Sequence, residues 1–274
     1  MKEFVFEINE SKEEQLTFQL MESGFASFYF EKSGNKNFLK IYTENNDLPS
    51  ILLNEISVSS SDVDPSSWSR AWGENYKGDE LTSNIFILPE GAVPPDKNYK
   101  TIIEIDPFDS FGDGHHPTTR LCGMLLEDEL SNHHDPSALS MLDIGTGSGI
   151  LSIAAWAMGV RDIELFDYDP VAADKTLKNL KLNGINSLLP FIDDIYEFTS
   201  VKKYDVITAN LLSRLLEDNI VKVTELLKPE GRIIVSGIST KWTEEMKKVF
   251  SDNRLQIIEH MVIEEWNGFL LTKA

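Results

Sequence analysis

Two periods of apolar spacing run along this chain, and they divide it. FVFEI at 4–8 alternates with period two and predicts a strand; SKEEQLTFQLMESG at 11–24 has helical spacing and a glycine stop; FASFYFEK at 25–32 returns to strand. NFLKIY at 37–42 and the residues near 56–59 predict two more strands, with a short helix over LPSILLNEI at 48–56 between them. Strand, helix, two strands, helix, strand is the split βαβ order, so residues 1–60 are expected to form a small α+β domain of ferredoxin-like type.

Residues 61–106 read as a linker with connecting strands. SSDVDPS at 60–66 is rich in turn formers, Trp68, Trp72 and Tyr76 follow, and Ile85–Leu88 and Thr101–Ile105 have strand composition. From 107 to 274 the pattern changes. From Leu139 onward MLDIG, IELFDYD, PFID, YDVITAN and GRIIVSG read as strands. Between them helical spacing recurs over Ile150–Met158, Pro170–Leu182, Ser213–Leu227 and Thr243–Phe250. LQIIEHMVI and WNGFLLTK close the chain, joined by a short turn near Glu265–Gly268, and predict an antiparallel pair. The expected fold class is α/β: a doubly wound, seven-stranded, mostly parallel sheet behind the smaller N-terminal domain.

Charge and composition narrow the setting. The net charge is −20, with 17 acids against 9 bases in residues 1–100 and 28 against 16 in the remainder. Such a surface repels nucleic-acid backbones and anionic membranes and favours basic partners. No apolar run approaches the ~20 residues that span a bilayer. MKEFVFEINE carries acids inside its short apolar stretch and has no small-residue cleavage site, so no secretory signal is expected and the chain reads as cytoplasmic. One cysteine, Cys122, excludes an internal disulfide and a cysteine-based zinc site.

Candidate chemistry gathers where strands end, because open α/β sheets bind ligands beyond their carboxyl edges. MLDIGTGSGI places Asp143 two positions ahead of a turn with Gly145, Thr146, Gly147 and Gly149, opening a helix. Glycines let a ligand lie against bare main chain at a helix N-terminus. A dinucleotide fingerprint would need Gly-x-Gly-x-x-Gly, and Ile150 and Ser152 occupy the final position in the two registers. A carboxylate at Asp143 also repels a pyrophosphate and attracts a cation. Those features point to S-adenosylmethionine, a sulfonium. Asp167, 18 residues past Gly149, is placed to take the two ribose hydroxyls, while Asp169 and Pro170 start the next helix. Asp193 and Asp194 end the third strand, and Asp194 is expected at the adenine amino group. Asn210 closes the fourth strand with four hydrogen-bonding sites to satisfy and is expected to orient the methyl acceptor and to contact the cofactor as well. Upstream, FGDGHHPTT combines a glycine loop with a proline-marked helix start, and Phe111 with Gly112 is expected to cover the adenosine. The pairs His115, His116 and His133, His134 have no carboxylate or cysteine at zinc spacing, so no metal is expected.

FGDGHHPTT, LDIGTGSGILSIAA, DYDP, YDVITANLL and LLKPEGRIIVSGI, in that order, resemble the PrmA-like family, class I methyltransferases that modify large-subunit ribosomal protein eleven. SWSRAWGENYK with ILPE is similar to that family's tryptophan-containing linker. The resemblance covers most of the chain from about residue 60 and implies S-adenosylmethionine as cofactor, with Thr118 among its contacts. It also implies N-methylation of lysine amines on a basic ribosomal protein, and substrate recognition by the N-terminal domain. The family usually has threonines where Asp113 and His115 stand here. That departure motivates a second reading, a methyltransferase of the same architecture acting on another protein or a small molecule. Asn-Leu-Leu at 210–212, where base-modifying enzymes carry Asn-Pro-Pro and an aromatic, speaks against nucleic acid.

Overall fold

A computed structural model of the chain describes residues 2–9, 12, 16, 20, 28–33, 36–43, 52, 56–62, 77–106, 114 and 116–274. Contacts divide it into two compact units, Met1–Asn75 and Tyr76–Ala274.

In the first unit, β1 (Lys2–Ile8), β2 (Phe28–Ser33), β3 (Lys36–Thr43) and β4 (Ile56–Asp62) form a sheet in the order β2-β3-β1-β4, antiparallel at each pairing. That is the split order expected from the sequence. Phe6 and Ile8 alternate onto one face of β1 and are buried with Leu39 and Ile41, while Glu7 between them faces out and pairs with Lys36. The helices expected at 11–24 and 48–56 fall largely outside the described residues. Leu16 and Leu20, four apart and helical, and Leu52 belong to this core. Ser60 to Asp62, read as linker from their turn-forming composition, extend β4, because Lys2 and Glu3 pair with Asp62 and Ser61. Trp68, Trp72 and Tyr76 lie outside the described residues.

The second unit begins with β5 (Asp79–Glu80), β6 (Ile85–Pro89) and β7 (Thr101–Ile105), in which β6 and β7 run parallel. Then follow α1 (Pro117–Ser131), β8 (Ser140–Ile144), α2 (Ile150–Ala157), β9 (Asp162–Asp167), α3 (Pro170–Leu182), β10 (Phe191–Ile192) and β11 (Tyr204–Asn210). The chain ends with α4 (Ser213–Leu226), β12 (Leu227–Ser239), α5 (Thr243–Asp252), β13 (Leu255–Ile263) and β14 (Trp266–Lys273). Among the described residues seven strands make one sheet, ordered β10-β9-β8-β11-β12-β14-β13, with only β14 antiparallel to its neighbours. This is the class I methyltransferase arrangement. Successive residues serve opposite faces: Met141 and Val206 join the core under α1 and α2, and Leu142 and Ile207 join the core under α4 and α5. The strand order reverses between β8 and β11, so both open at the carboxyl edge onto one crevice.

The closing hairpin narrows one expectation. The turn expected near Glu265–Gly268 lies at Glu264-Glu265, with Glu264 left-handed at φ 55°, and Asn267 and Gly268 lie within β14, the strand WNGFLLTK that the sequence predicts. Packing decides this. A Cβ at Gly268 would stand 2.9 Å from Leu121 Cβ on α1, so the glycine serves the close approach of helix and strand.

Candidate active site

The glycine turn follows directly from β8. Gly145, Gly147 and Gly149 all have positive φ, at 67°, 57° and 81°, conformations that side-chain-bearing residues rarely adopt. A Cβ at Gly145 would stand 2.6 Å from Leu211 Cδ2, and one at Gly149 2.9 Å from Thr176 Cγ2. Above this turn Asp143 is 1% exposed, held by three hydroxyls. Thr146 and Ser152 donate to Oδ2 at 2.8 and 2.7 Å, and Thr208 donates to Oδ1 at 2.6 Å. Burial pushes the Asp143 carboxyl above its ordinary value, and the three hydroxyl donors work in the opposite direction. The carboxylate thus ties β8 to its turn, to α2 and to β11, and its charge lies just beneath the strand ends.

Asp167 closes β9 and is 7% exposed. Its Oδ2 accepts from the Gly147 amide at 2.9 Å and its Oδ1 from the Asp169 amide at 3.1 Å, which brings the second strand end onto the glycine turn. Burial raises its pKa; the two amides lower it, and the net shift is upward. Asp169 caps α3 by accepting from Val171, as its position before Pro170 predicts. At the third strand end the two acids part. Asp193 continues the pairing, its amide donating to the Asp167 carbonyl at 3.1 Å, whereas exposed Asp194 accepts from the Tyr196 amide and starts a turn. Tyr168 and Ile192 beside them are exposed large side chains.

On the other side of the strand-order reversal stands Asn210. Its Nδ2 donates to Thr119 Oγ1 at a long 3.4 Å, and its buried Oδ1 has no partner among the described residues. Thr118 and Thr119 are buried in the first turn of α1, whose start is fixed by Pro117 and by His116 accepting from the Thr118 amide. The His116 ring meets Trp266 edge-on, with centroids 5.1 Å apart. Leu211 is held by its amide, which donates to Ser236 O at 3.2 Å. Phe111, Gly112, Asp113 and His115 lie outside the described residues. Gly114 is described: φ is 89°, and a Cβ there would stand 2.8 Å from Ile87 Cγ1, so this glycine meets a close approach to β6.

The structure therefore brings Asp143, the glycine turn and Asp167 together on one side and Asn210 with Thr119 on the other. Sequence reasoning missed Ser152, Thr208 and Thr119. Thr208 had a signal, a lone hydroxyl in the apolar run YDVITAN, but the identity of its partner had none. Among the described residues no three His, Cys, Asp or Glu side chains gather as a metal site. His133 instead pairs with Glu129 at 3.0 Å.

The family model described as ribosomal protein L11 methyltransferase (PrmA) matches residues 2–274. The chain belongs to the PrmA family. Among named relatives it is 34% identical over 230 residues to the ribosomal protein L11 methyltransferase of Geobacillus thermodenitrificans, covering 81% of this chain and 70% of that one. With the relative of the same name from Prochlorococcus marinus the identity is 28%, over 98% of this chain and 95% of that one. A solved structure, the ribosomal protein L11 methylase of Lactobacillus delbrueckii subsp. bulgaricus, superposes with a TM-score of 0.65 at 29% identity. It covers 72% of this chain and 99% of its own. PrmA membership thus spans both units of the chain.

Proposed function

We propose that this chain is an S-adenosylmethionine-dependent N-methyltransferase acting on lysine amines of ribosomal protein L11. The observation that carries the reading is the pairing of two unlike half-sites across one crevice: a closed, acidic glycine turn on β8, and an open amide acceptor at the end of neighbouring β11. Family membership supports the substrate. The net charge of −20 suits a basic partner, and the cytoplasm is where such a substrate is made.

The residues present fit the donor. Gly145, Thr146, Gly147 and Gly149 leave a cradle beside the main chain, Asp143 supplies negative potential for a cation, and Asp167 has carboxylate lone pairs for ribose hydroxyls. Asp194 was expected at the adenine; Asp193 continues the strand pairing beside Asp167 and is the better placed of the two, with Tyr168 and Ile192 as apolar neighbours. Thr118, Phe111 and Gly112 complete the proposed donor contacts. When bound, S-adenosylmethionine supplies an electrophilic methyl on sulfur.

The protein's own task is to present a neutral amine in line with it. A lysine with a reference pKa near 10.4 loses its proton at a cost of about 4 to 5 kcal/mol at pH 7. Asn210 Oδ1, buried and unpartnered, accepts an N–H from the incoming amine and so orients its lone pair, while Thr119 fixes the amide on its other side. Burial at the strand ends disfavours the ammonium form and lets the proton leave to solvent before reaction. No strong base is required, because alignment alone contributes up to roughly 7 to 11 kcal/mol in well-ordered systems.

Radiolabelled donor offered to L11 and to ribosomes from a strain lacking this gene tests the reading. Label on L11 lysines is the expected outcome. Label on another protein, with L11 unmodified, would favour the same-fold alternative that Asp113 and His115 motivate.

A further inference from the structure

The mechanism leaves unexplained a polar face on α3. Thr176 and Asn179 lie one turn apart on a helix that otherwise buries Ala172, Ala173, Lys175 and Leu180, and Asn183 follows at its C-cap. Threonine and asparagine are poor helix formers, and inside a helix a threonine hydroxyl ordinarily bonds back to its own preceding turn. Here the Thr176 hydroxyl and the Asn179 amide reach out of the helix, and Asn183 does so while also bonding back to the Asn179 carbonyl. Thr176 Oγ1 donates to the Gly147 carbonyl at 2.8 Å, and Asn179 Nδ2 donates to the Ser148 carbonyl at 2.8 Å. Both side chains are 0% exposed. Asn179 Oδ1 also accepts from the Asp106 amide at 2.8 Å, and Asn183 brackets Glu104 through both of that residue's main-chain groups.

We propose that Thr176 and Asn179 are positioning residues for donor binding, acting through the glycine turn, whose two consecutive carbonyls they hold against α3. The proposal rests on the donor-site reading above. Its physical basis is the freedom of the turn itself. Three glycines at positive φ within five residues leave peptide planes that can rotate at little steric cost. A ligand that must lie against this backbone binds only the fraction of molecules in which the planes are set correctly, and its apparent affinity falls in proportion to that fraction. Two buried donor side chains, one bond fully buried at Ser148 and the other partly buried at Gly147, keep the fraction high. Thr176 adds a steric limit, since its Cγ2 would stand 2.9 Å from a Cβ at Gly149. Neither side chain needs to touch the donor, so their removal acts on affinity rather than on the transfer step.

Three variants of the full chain decide the matter: Thr176→Val, which keeps shape and loses the hydroxyl; Thr176→Ser, which keeps the hydroxyl; and Asn179→Leu. Calorimetric titration with S-adenosylmethionine is paired with donor KM and kcat on the protein substrate and with a thermal melt of each ligand-free variant. The expected result is an affinity loss of about tenfold for Thr176→Val, the equivalent of 1.4 kcal/mol, with kcat at saturating donor within about twofold of the parent. Thr176→Ser restores the parent affinity, and Asn179→Leu loses as much as Thr176→Val or more. A Thr176→Val protein that binds the donor like the parent, whatever its melting temperature, overturns the proposal, as does a Thr176→Ser protein as weak as Thr176→Val. Should Asn179→Leu fail to fold, the two Thr176 variants still decide. A parent protein that takes up no S-adenosylmethionine overturns the donor-site reading itself, an outcome distinct from all of these.

Discussion

The two sides of the crevice are finished to different degrees. Around Asp143 three hydroxyls fill the carboxylate, Asp167 takes two amides, and the turn's carbonyls are held by α3. Around Asn210, among the described residues, there is one long contact to Thr119 and a buried oxygen without a partner. A buried unpaired acceptor costs free energy comparable to a lost hydrogen bond, and it persists in a fold where a visiting group completes it. On the proposed reading, the difference teaches that the donor side is built in advance, whereas the acceptor side is completed by the incoming amine.

The largest expected effect comes from breaking the finished side. Asp143→Ala leaves three buried hydroxyls without their shared acceptor and removes the charge beneath the turn. A stability loss of about 3 kcal/mol in denaturant titration and at least a hundredfold weaker donor binding are expected. Donor affinity unchanged in calorimetry would falsify the role given to this carboxylate. Asn210→Leu should do the reverse: methyl transfer falls roughly a hundredfold in kcat through misplacement of the amine. Donor affinity stays within about twofold and the melting temperature holds or rises, because an orphan oxygen has gone.

Gly145 is where the two sides meet, since a Cβ there would press on Leu211, the neighbour of Asn210. Gly145→Ala is expected to cost about 1 to 3 kcal/mol of stability from the left-handed backbone alone. It should also weaken donor binding and slow transfer together, and an effect on only one of these parameters would show that the half-sites are not coupled through Gly145 and Leu211. The smallest effect is one of pH. On the proposed reading Asp167 accepts both ribose hydroxyls best when ionised, and burial holds its pKa above the ordinary 3.8. Donor affinity therefore declines as pH falls through that raised value, at a higher pH than for an ordinary aspartate. Donor titrations at stepwise lower pH should show the decline in the parent, and Asp167→Asn should be uniformly weaker and flat.

Much of this was legible beforehand. The alternating unit of the sheet, the three glycines, the capping role of Asp169 and the start of α1 at Pro117 all follow from short-range spacing. The reading placed the closing turn near Glu265–Gly268 where it lies at Glu264-Glu265, and it failed at Ser60 to Asp62, drawn into β4 by pairing with β1. The Asp193 and Asp194 pair shows the limit differently. Either could start a turn, and only the strand pairing to Asp167 distinguishes them.

What the chain's own order of residues determined is therefore the kind of protein and the position of its glycine turn, since periodicity, caps and glycine spacing act within a few residues. Tertiary structure alone decided what each site atom touches. Thr208 lies 65 residues from Asp143, Asn179 31 from Ser148 and Thr119 91 from Asn210. Contacts across such separations arise only when the sheet order folds distant strand ends and helix faces onto one crevice, and no local pattern encodes them.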